Sequence, residues 1–180
     1  MIREGLDRQF LRPQNIPVYS LFRWGTGVDG ENVQLLIAAL KGDNGSRAFR
    51  HLASEFSLLR CKKEEACGDI VFCPAPAAIA GQIDHAYLWA EALAHQWGVS
   101  MVNILKRGSL RTQKTLDVDQ RRETTMELWE GHSVPEGAKI IFVDDVITTG
   151  STARAAWSVL GKPRRFEVWT VACRAKLFLI

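Results

Sequence analysis

The stretch Ile140-Ile141-Phe142-Val143-Asp144-Asp145-Val146-Ile147-Thr148-Thr149-Gly150-Ser151-Thr152 decides how this chain reads. Its four leading apolar residues, Ile140 to Val143, suit a strand buried on both faces, as strands of parallel sheets are. In an open α/β sheet the ligand site lies beyond the carboxyl ends of such strands, and Asp144 and Asp145 stand at that end. An ionised carboxylate only accepts hydrogen bonds, so two side by side suit the vicinal hydroxyls of a sugar. Thr148 to Thr152 offers the complementary chemistry: side-chain hydroxyls, backbone N–H groups and a glycine that permits close approach. All of these fall at a helix N-terminus, whose unpaired amides and dipole favour an anion. Acids followed by an anion nest match the two ends of a ribose 5-phosphate. Two competing readings, an Asp pair holding magnesium in another α/β protein and Ser151 or Thr152 as an ordinary helix cap, each explain only part of the string.

The flanking sequence alternates strands with helices. Thr152 to Leu160 reads as a helix and Phe166 to Cys173 as a strand after the Gly161-Lys162-Pro163 turn. Pro17 to Trp24 is an aromatic and β-branched strand ended by Gly25 and Gly27. Val33, Leu36, Ile37 and Leu40 recur at helical spacing before Gly42, and Ser46 is placed to cap a second helix that turns Phe49, Leu52, Phe56 and Leu59 inward. Asp69 to Cys73 is a short buried strand broken by Pro74 and Pro76. Asp84 caps a helix carrying Trp89, Leu93 and Trp97 on one face and ending at Gly98, and Met101 to Leu105 follows as a strand. The polar segment Lys106 to Gly131 is expected to begin as a mobile loop and become a helix after Asp117. This order predicts an α/β fold, a doubly wound and mostly parallel sheet.

With 180 residues, 47% of them hydrophobic, the chain can bury one sizeable core, so one domain over residues 1–180 is expected. Its 23 basic and 20 acidic residues are mixed along the sequence, and a net charge of +3 is too weak to argue nucleic-acid binding by itself. No apolar run approaches the length of a bilayer span and Met1 to Arg8 lacks the apolar core of a signal peptide, which predicts a soluble, cytoplasmic protein with no membrane partner. Cys61, Cys67, Cys73 and Cys173 do not form a disulfide framework, and the even spacing of the first three lacks the close pairs of a zinc site.

Ile140 to Thr152 resembles the phosphoribosyl pyrophosphate signature of type I phosphoribosyltransferases. Within that superfamily the chain looks most like the ComF family of competence-associated, phosphoribosyltransferase-like proteins. The narrower likeness rests on Leu40-Lys41, on Cys73-Pro74-Ala75-Pro76, and on Leu105-Lys106-Arg107 followed by Gln113, Leu116 and Arg121. The resemblance implies a type I phosphoribosyltransferase-like fold with a small hood, built here from Pro17 to Gly27 and from Lys106 to Glu130. It implies that Asp144 and Asp145 bind the ribose hydroxyls, and that Val146, Ile147, Thr148, Thr149, Gly150, Ser151 and Thr152 form the segment that holds the 5-phosphate. Lys106, Arg107 and Arg111 fall in the segment similar to the family's mobile hood loop, where cations close over pyrophosphate with Mg2+.

The implied activity is transfer of a phosphoribosyl group to or from a base, with phosphoribosyl pyrophosphate or a nucleotide as ligand. Where the family carries an Arg-Gly-Phe-Asn-Gln run, this chain has His85-Ala86-Tyr87-Leu88-Trp89, and no Lys or Arg occurs between Lys63 and Lys106. Backbone amides of Ala77 to Gly81 remain as anion donors. The alternative is a non-catalytic regulator or competence and DNA-uptake factor that keeps the pocket as a ligand sensor. Arg107, Arg111, Arg121, Arg122, Arg164 and Arg165 would then meet single-stranded DNA. Six tryptophans suggest either core packing or an aromatic hood or homodimer contact.

Overall fold

The computed structural model describes residues 6–25, 28–40, 42, 45–61, 70–77, 84–108, 126–131 and 133–174. From the amino end, β1 (Asp7–Leu11) and β2 (Ile16–Trp24) form an antiparallel hairpin, followed by helices α1 (Val28–Leu40) and α2 (Gly45–Cys61). Then come β3 (Ile70–Pro74), α3 (His85–Trp97), β4 (Ser100–Met101), and the pair β5 (Leu105–Arg107) and β6 (Met126–Leu128). The chain continues through β7 (Lys139–Ile147), α4 (Ser151–Val159) and β8 (Phe166–Arg174).

Six strands make one sheet in the order β1-β2-β8-β7-β3-β4, parallel except for β1. Residues of α1, α2 and α3 pack with Ile141, Val143 and Trp169 on one face, while Ala153 and Ala156 of α4 pack with Ile140, Phe142 and Val168 on the other. Helices on both faces of a mostly parallel sheet are the doubly wound arrangement the alternation of elements requires. The central strands β7 and β8 are each apolar at six of nine positions, and β8 is buried at every position but its last, because each face is covered.

The core is aromatic on the three-helix side. Trp89 and Trp169 are fully buried, and Phe56 bridges them with ring centroids 5.7 and 4.9 Å away. Two of the six tryptophans thus serve packing outright, whereas Trp129 is 39% exposed. Glu167 is buried at the start of β8 and holds three donors: Arg60 at 3.2 Å, Lys139 at 2.9 Å and the Trp169 indole at 3.1 Å. The Arg60 guanidinium also lies 4.0 Å from the centre of the Tyr19 ring. Cys73 and Cys173 are free thiols in the other cluster, and burial pushes each up to about 12.

Several expectations need correction. Met101 to Leu105 is not one strand: β4 ends at Met101 and β5 begins at Leu105 in a separate two-stranded sheet. The reason lies in β3, where the Ala75 N–H donates to the Val143 carbonyl of β7, so the neighbouring Pro74 faces β4 and has no N–H to continue that ladder. The last link is the Val102 N–H to the Phe72 carbonyl. A helix reaching Gly131 is also not found, because Met126 to Leu128 pairs antiparallel with β5. Met126 turns inward and Glu127 outward, a period of two. Residues 109–125 of that expected loop and helix lie outside the described residues.

Ser46 is not a cap, since α2 already starts at Gly45, whose backbone lies against the Leu40 carbonyl where no Cβ fits. Pro17 to Trp24 is no hood either; it is an inner strand flanked by β1 and β8. By contrast, Asp84 caps α3 by accepting from the Tyr87 N–H at 3.2 Å, and Gly98 ends that helix at φ 62°.

Candidate functional site

Strand β7 carries the acidic pair to the end of the sheet. Asp144 and Asp145 are half-buried, and each carboxylate accepts from the amide that follows it: Asp145 N–H to Asp144 Oδ1 and Val146 N–H to Asp145 Oδ1, both 2.9 Å. These bonds fix the two side chains in place. The Thr170 hydroxyl of β8 supports them from behind, 2.9 Å from the Asp145 carbonyl oxygen. Val146 packs against the three-helix cluster and Ile147 is buried in the other, so their side chains belong to the core.

A cavity of about 200 Å³ opens beside the pair. Asp144, Asp145 and Thr152 line one side, and Pro76, Asp84, His85 and Arg107 the other. Adjacent parallel strands explain the meeting: Cys73 pairs with Phe142 and Pro74 with Val143, so the chain leaving β3 emerges next to the chain leaving β7. Burial, then the neighbouring Asp145 and more weakly Asp84, raises the Asp144 carboxyl above the usual carboxylate range. Hydrogen-bond donors on a ligand would favour its ionised form and reverse that shift.

Thr148, Thr149 and Gly150 make the turn into α4, with Gly150 at φ 72°, a conformation that glycine adopts without steric cost. The helix has no side-chain cap and no acidic residue in its first turn. The Thr149 and Ser151 hydroxyls lie 3.0 Å apart, and the Ser151 N–H reaches Thr149 Oγ1 at 3.3 Å. The Thr148 amide continues the β7 ladder toward Cys173 of β8, and among the described residues no acceptor takes the amides of Thr149 or Gly150. Unpaired amides at a helix start favour an anion through their N–H groups and the helix dipole.

The basic residues divide. Arg107 lines the cavity and donates from Nε to the Pro76 carbonyl at 3.3 Å, bridging the β5–β6 pair to the end of β3. Lys106 is one residue earlier on the strand, pairs with Glu127 at 3.4 Å, and lies 5.2 Å from the centre of the Trp129 ring. Arg111 lies outside the described residues. Arg164 and Arg165 precede β8 and so sit at the opposite end of the parallel strands from Arg107. Asp84, expected from the sequence only as a helix cap, and His85, which begins the run that replaces the family's Arg-Gly-Phe-Asn-Gln, both line the cavity. The signal that finds them is the proline-spaced end of β3, once that strand is placed beside β7.

Among the described residues no group of three or more His, Cys, Asp or Glu side chains is placed to cage a metal ion. No helix among them is long and apolar enough to cross a membrane.

No family model matches the chain. It is similar to proteins named adenine phosphoribosyltransferase from three bacteria. One, from Methylacidiphilum infernorum (isolate V4), is 39% identical over 72 residues, 39% of this chain and 40% of the relative. Another, from Dichelobacter nodosus (strain VCS1703A), is 26% identical over 148 residues, 81% of this chain and 74% of the relative. The third, from Maricaulis maris (strain MCS10), is 36% identical over 84 residues, 46% of this chain and 47% of the relative. The chain thus spans less than half the length of two of these relatives and about three quarters of the Dichelobacter nodosus protein. These likenesses, at modest identity, support the type I phosphoribosyltransferase superfamily and do not single out the ComF family.

Proposed function

We propose that this chain binds phosphoribosyl pyrophosphate or a nucleotide and transfers the phosphoribosyl group to or from a base. The observation that carries the reading is the continuity of β7 with its turn: Asp144 and Asp145, with fixed carboxylates, line one cavity together with Thr152, and the turn between them leaves the amides of Thr149 and Gly150 without an acceptor among the described residues. Asp144 and Asp145 accept from the ribose 2- and 3-hydroxyls, and Thr148 to Thr152 hold the 5-phosphate through amides and hydroxyls. With the sugar gripped at both ends, its anomeric carbon is presented to the cavity.

As pyrophosphate leaves, the anomeric carbon gains oxocarbenium character and negative charge collects on the departing oxygens. Arg107 meets that charge, supplying from the β5–β6 pair the cation that the loop after Pro76 lacks. Its terminal nitrogens take no other acceptor among the described residues. Lys106 and Arg111 belong to the same proposed hood, with Lys106 held in reserve by Glu127. Mg2+ would arrive with the substrate, carried by its phosphate oxygens, which are the hard ligands this ion prefers.

The test is release of pyrophosphate on incubation with phosphoribosyl pyrophosphate, Mg2+ and a panel of bases, adenine first in view of the relatives' names. Release should be lost on Asp144→Asn with Asp145→Asn. Tight ligand binding with no turnover on any base would reject the transferase and leave the ligand sensor. The DNA-contacting version of that sensor has less to stand on, because Arg107 and the Arg164-Arg165 pair lie at opposite ends of the sheet. Our reading of the finer family remains ComF-like, on the hood segment and the proline-spaced strand end.

A further inference from the structure

We infer that Leu11 and Arg154 are positioning residues for the 5-phosphate, together holding the Thr148 to Gly150 turn in its binding shape; this rests on the phosphate reading of that turn. Leu11 ends the amino-terminal strand β1 and is 0% exposed. A Cβ added at Gly150 would stand 2.5 and 3.1 Å from its two terminal carbons and 3.3 Å from Arg154 Nη1. The space a side chain would take at position 150 is therefore filled from the far end of the chain. That contact packs the turn against the sheet edge at its one left-handed residue, where the backbone is otherwise free to swing.

Arg154 works on the carbonyls. Its Nη2 donates to the Thr149 carbonyl at 2.9 Å, and its main-chain N–H donates to the Gly150 carbonyl at 2.9 Å. With both carbonyls drawn toward α4, the amides of the turn are left pointing away from it, which is how successive N–H groups form an anion-binding concavity. A cation within the first helical turn opposes the helix dipole, and α4 has no acid there to balance it. An anion at the turn removes that conflict. Neither residue needs to touch the ligand: each acts through the shape of the turn.

The experiment is calorimetric titration of the full chain with ribose 5-phosphate, read beside the melting temperature of each variant. Arg154→Gln and Leu11→Ala should each weaken binding by about tenfold, the scale of one charge-assisted hydrogen bond lost or left misaligned. For Arg154→Gln, half-buried at the surface, the melting temperature should hold. Leu11→Met should restore most of the affinity. Introducing Leu11→Ala into Gly150→Ala should relieve part of the Gly150→Ala loss, since the added Cβ then has room.

Unchanged affinity in both single variants, or an affinity loss that only follows the melting temperature, would overturn this inference and leave the phosphate site standing. If Leu11→Ala does not fold, Arg154→Gln alone decides the outcome. No binding by the unaltered protein overturns the phosphate reading and this inference together.

Discussion

Asp144 is where burial and function pull against each other. Its carboxyl is raised by burial and by Asp145, so the folded protein holds that proton more tightly than the unfolded chain, whose aspartate titrates near 3.8. Stability therefore falls as pH rises from about 3.8 through the raised folded value. Each unit of that rise costs about 1.4 kcal/mol of stability at a pH above both values. Asp144→Asn should accordingly melt higher than the parent at neutral pH and converge with it in acid, while losing ribose binding. Melting curves between about pH 3 and pH 8 check this, and an Asn variant less stable at pH 7 would contradict it. The acid pair and the hydroxyl-rich turn were legible in sequence because they are contiguous, and their chemistry is in their order. Asp84 and His85 were not, because they reach the same cavity only through the pairing of β3 with β7, which local pattern does not encode.

Among the elements, the β5–β6 pair turns Arg107 to the cavity and Lys106 to Glu127. Arg107 and Lys106 are neighbours on one strand, and neighbouring side chains of a strand point to opposite faces. Arg107→Gln should therefore weaken pyrophosphate binding by about tenfold, whereas Lys106→Gln, which releases a half-exposed pair with Glu127, should change it by less than about threefold. Titration with pyrophosphate and Mg2+ distinguishes the two, and equal losses would remove the special role of Arg107. The sequence showed a basic segment here but not its pairing, since three-residue strands are too short for a period to be read. The end of β4 was hidden for a related reason: it follows from the missing N–H of Pro74 on the neighbouring strand. Strand β1 escaped notice because its pattern is partly inverted: polar Gln9 turns inward beside Leu11 while Phe10 between them faces out, so no apolar alternation shows in the sequence.

Across the whole molecule, the sheet is held at one end by charge and expected to be held at the other by ligand. Glu167 collects Arg60, Lys139 and the Trp169 indole in a buried cluster, so Glu167→Ala would remove the acceptor these three donors share and should cost roughly 3 kcal/mol. Urea unfolding should show a lower midpoint with an unchanged slope. At the other end, phosphoribosyl pyrophosphate with Mg2+ at about a hundred times its dissociation constant should add about 2.7 kcal/mol. In a domain of this size that raises the melting temperature by roughly 5 to 10 °C, and the rise should vanish in the Asp144→Asn, Asp145→Asn double variant. The doubly wound architecture itself was readable from the alternation of elements, because β3 and β7, covered on both faces, announce it with the apolar runs Ile70 to Cys73 and Ile140 to Val143.

The sulfur atoms of Cys73 and Cys173, sealed in the cluster beneath α4 with their thiols pushed up to about 12, have almost no nucleophilic thiolate at neutral pH. An alkylating reagent can reach them only during moments when strands part, so the pace of labelling at these two positions would serve as a clock for how often the interior opens, and for how far a bound sugar phosphate slows it.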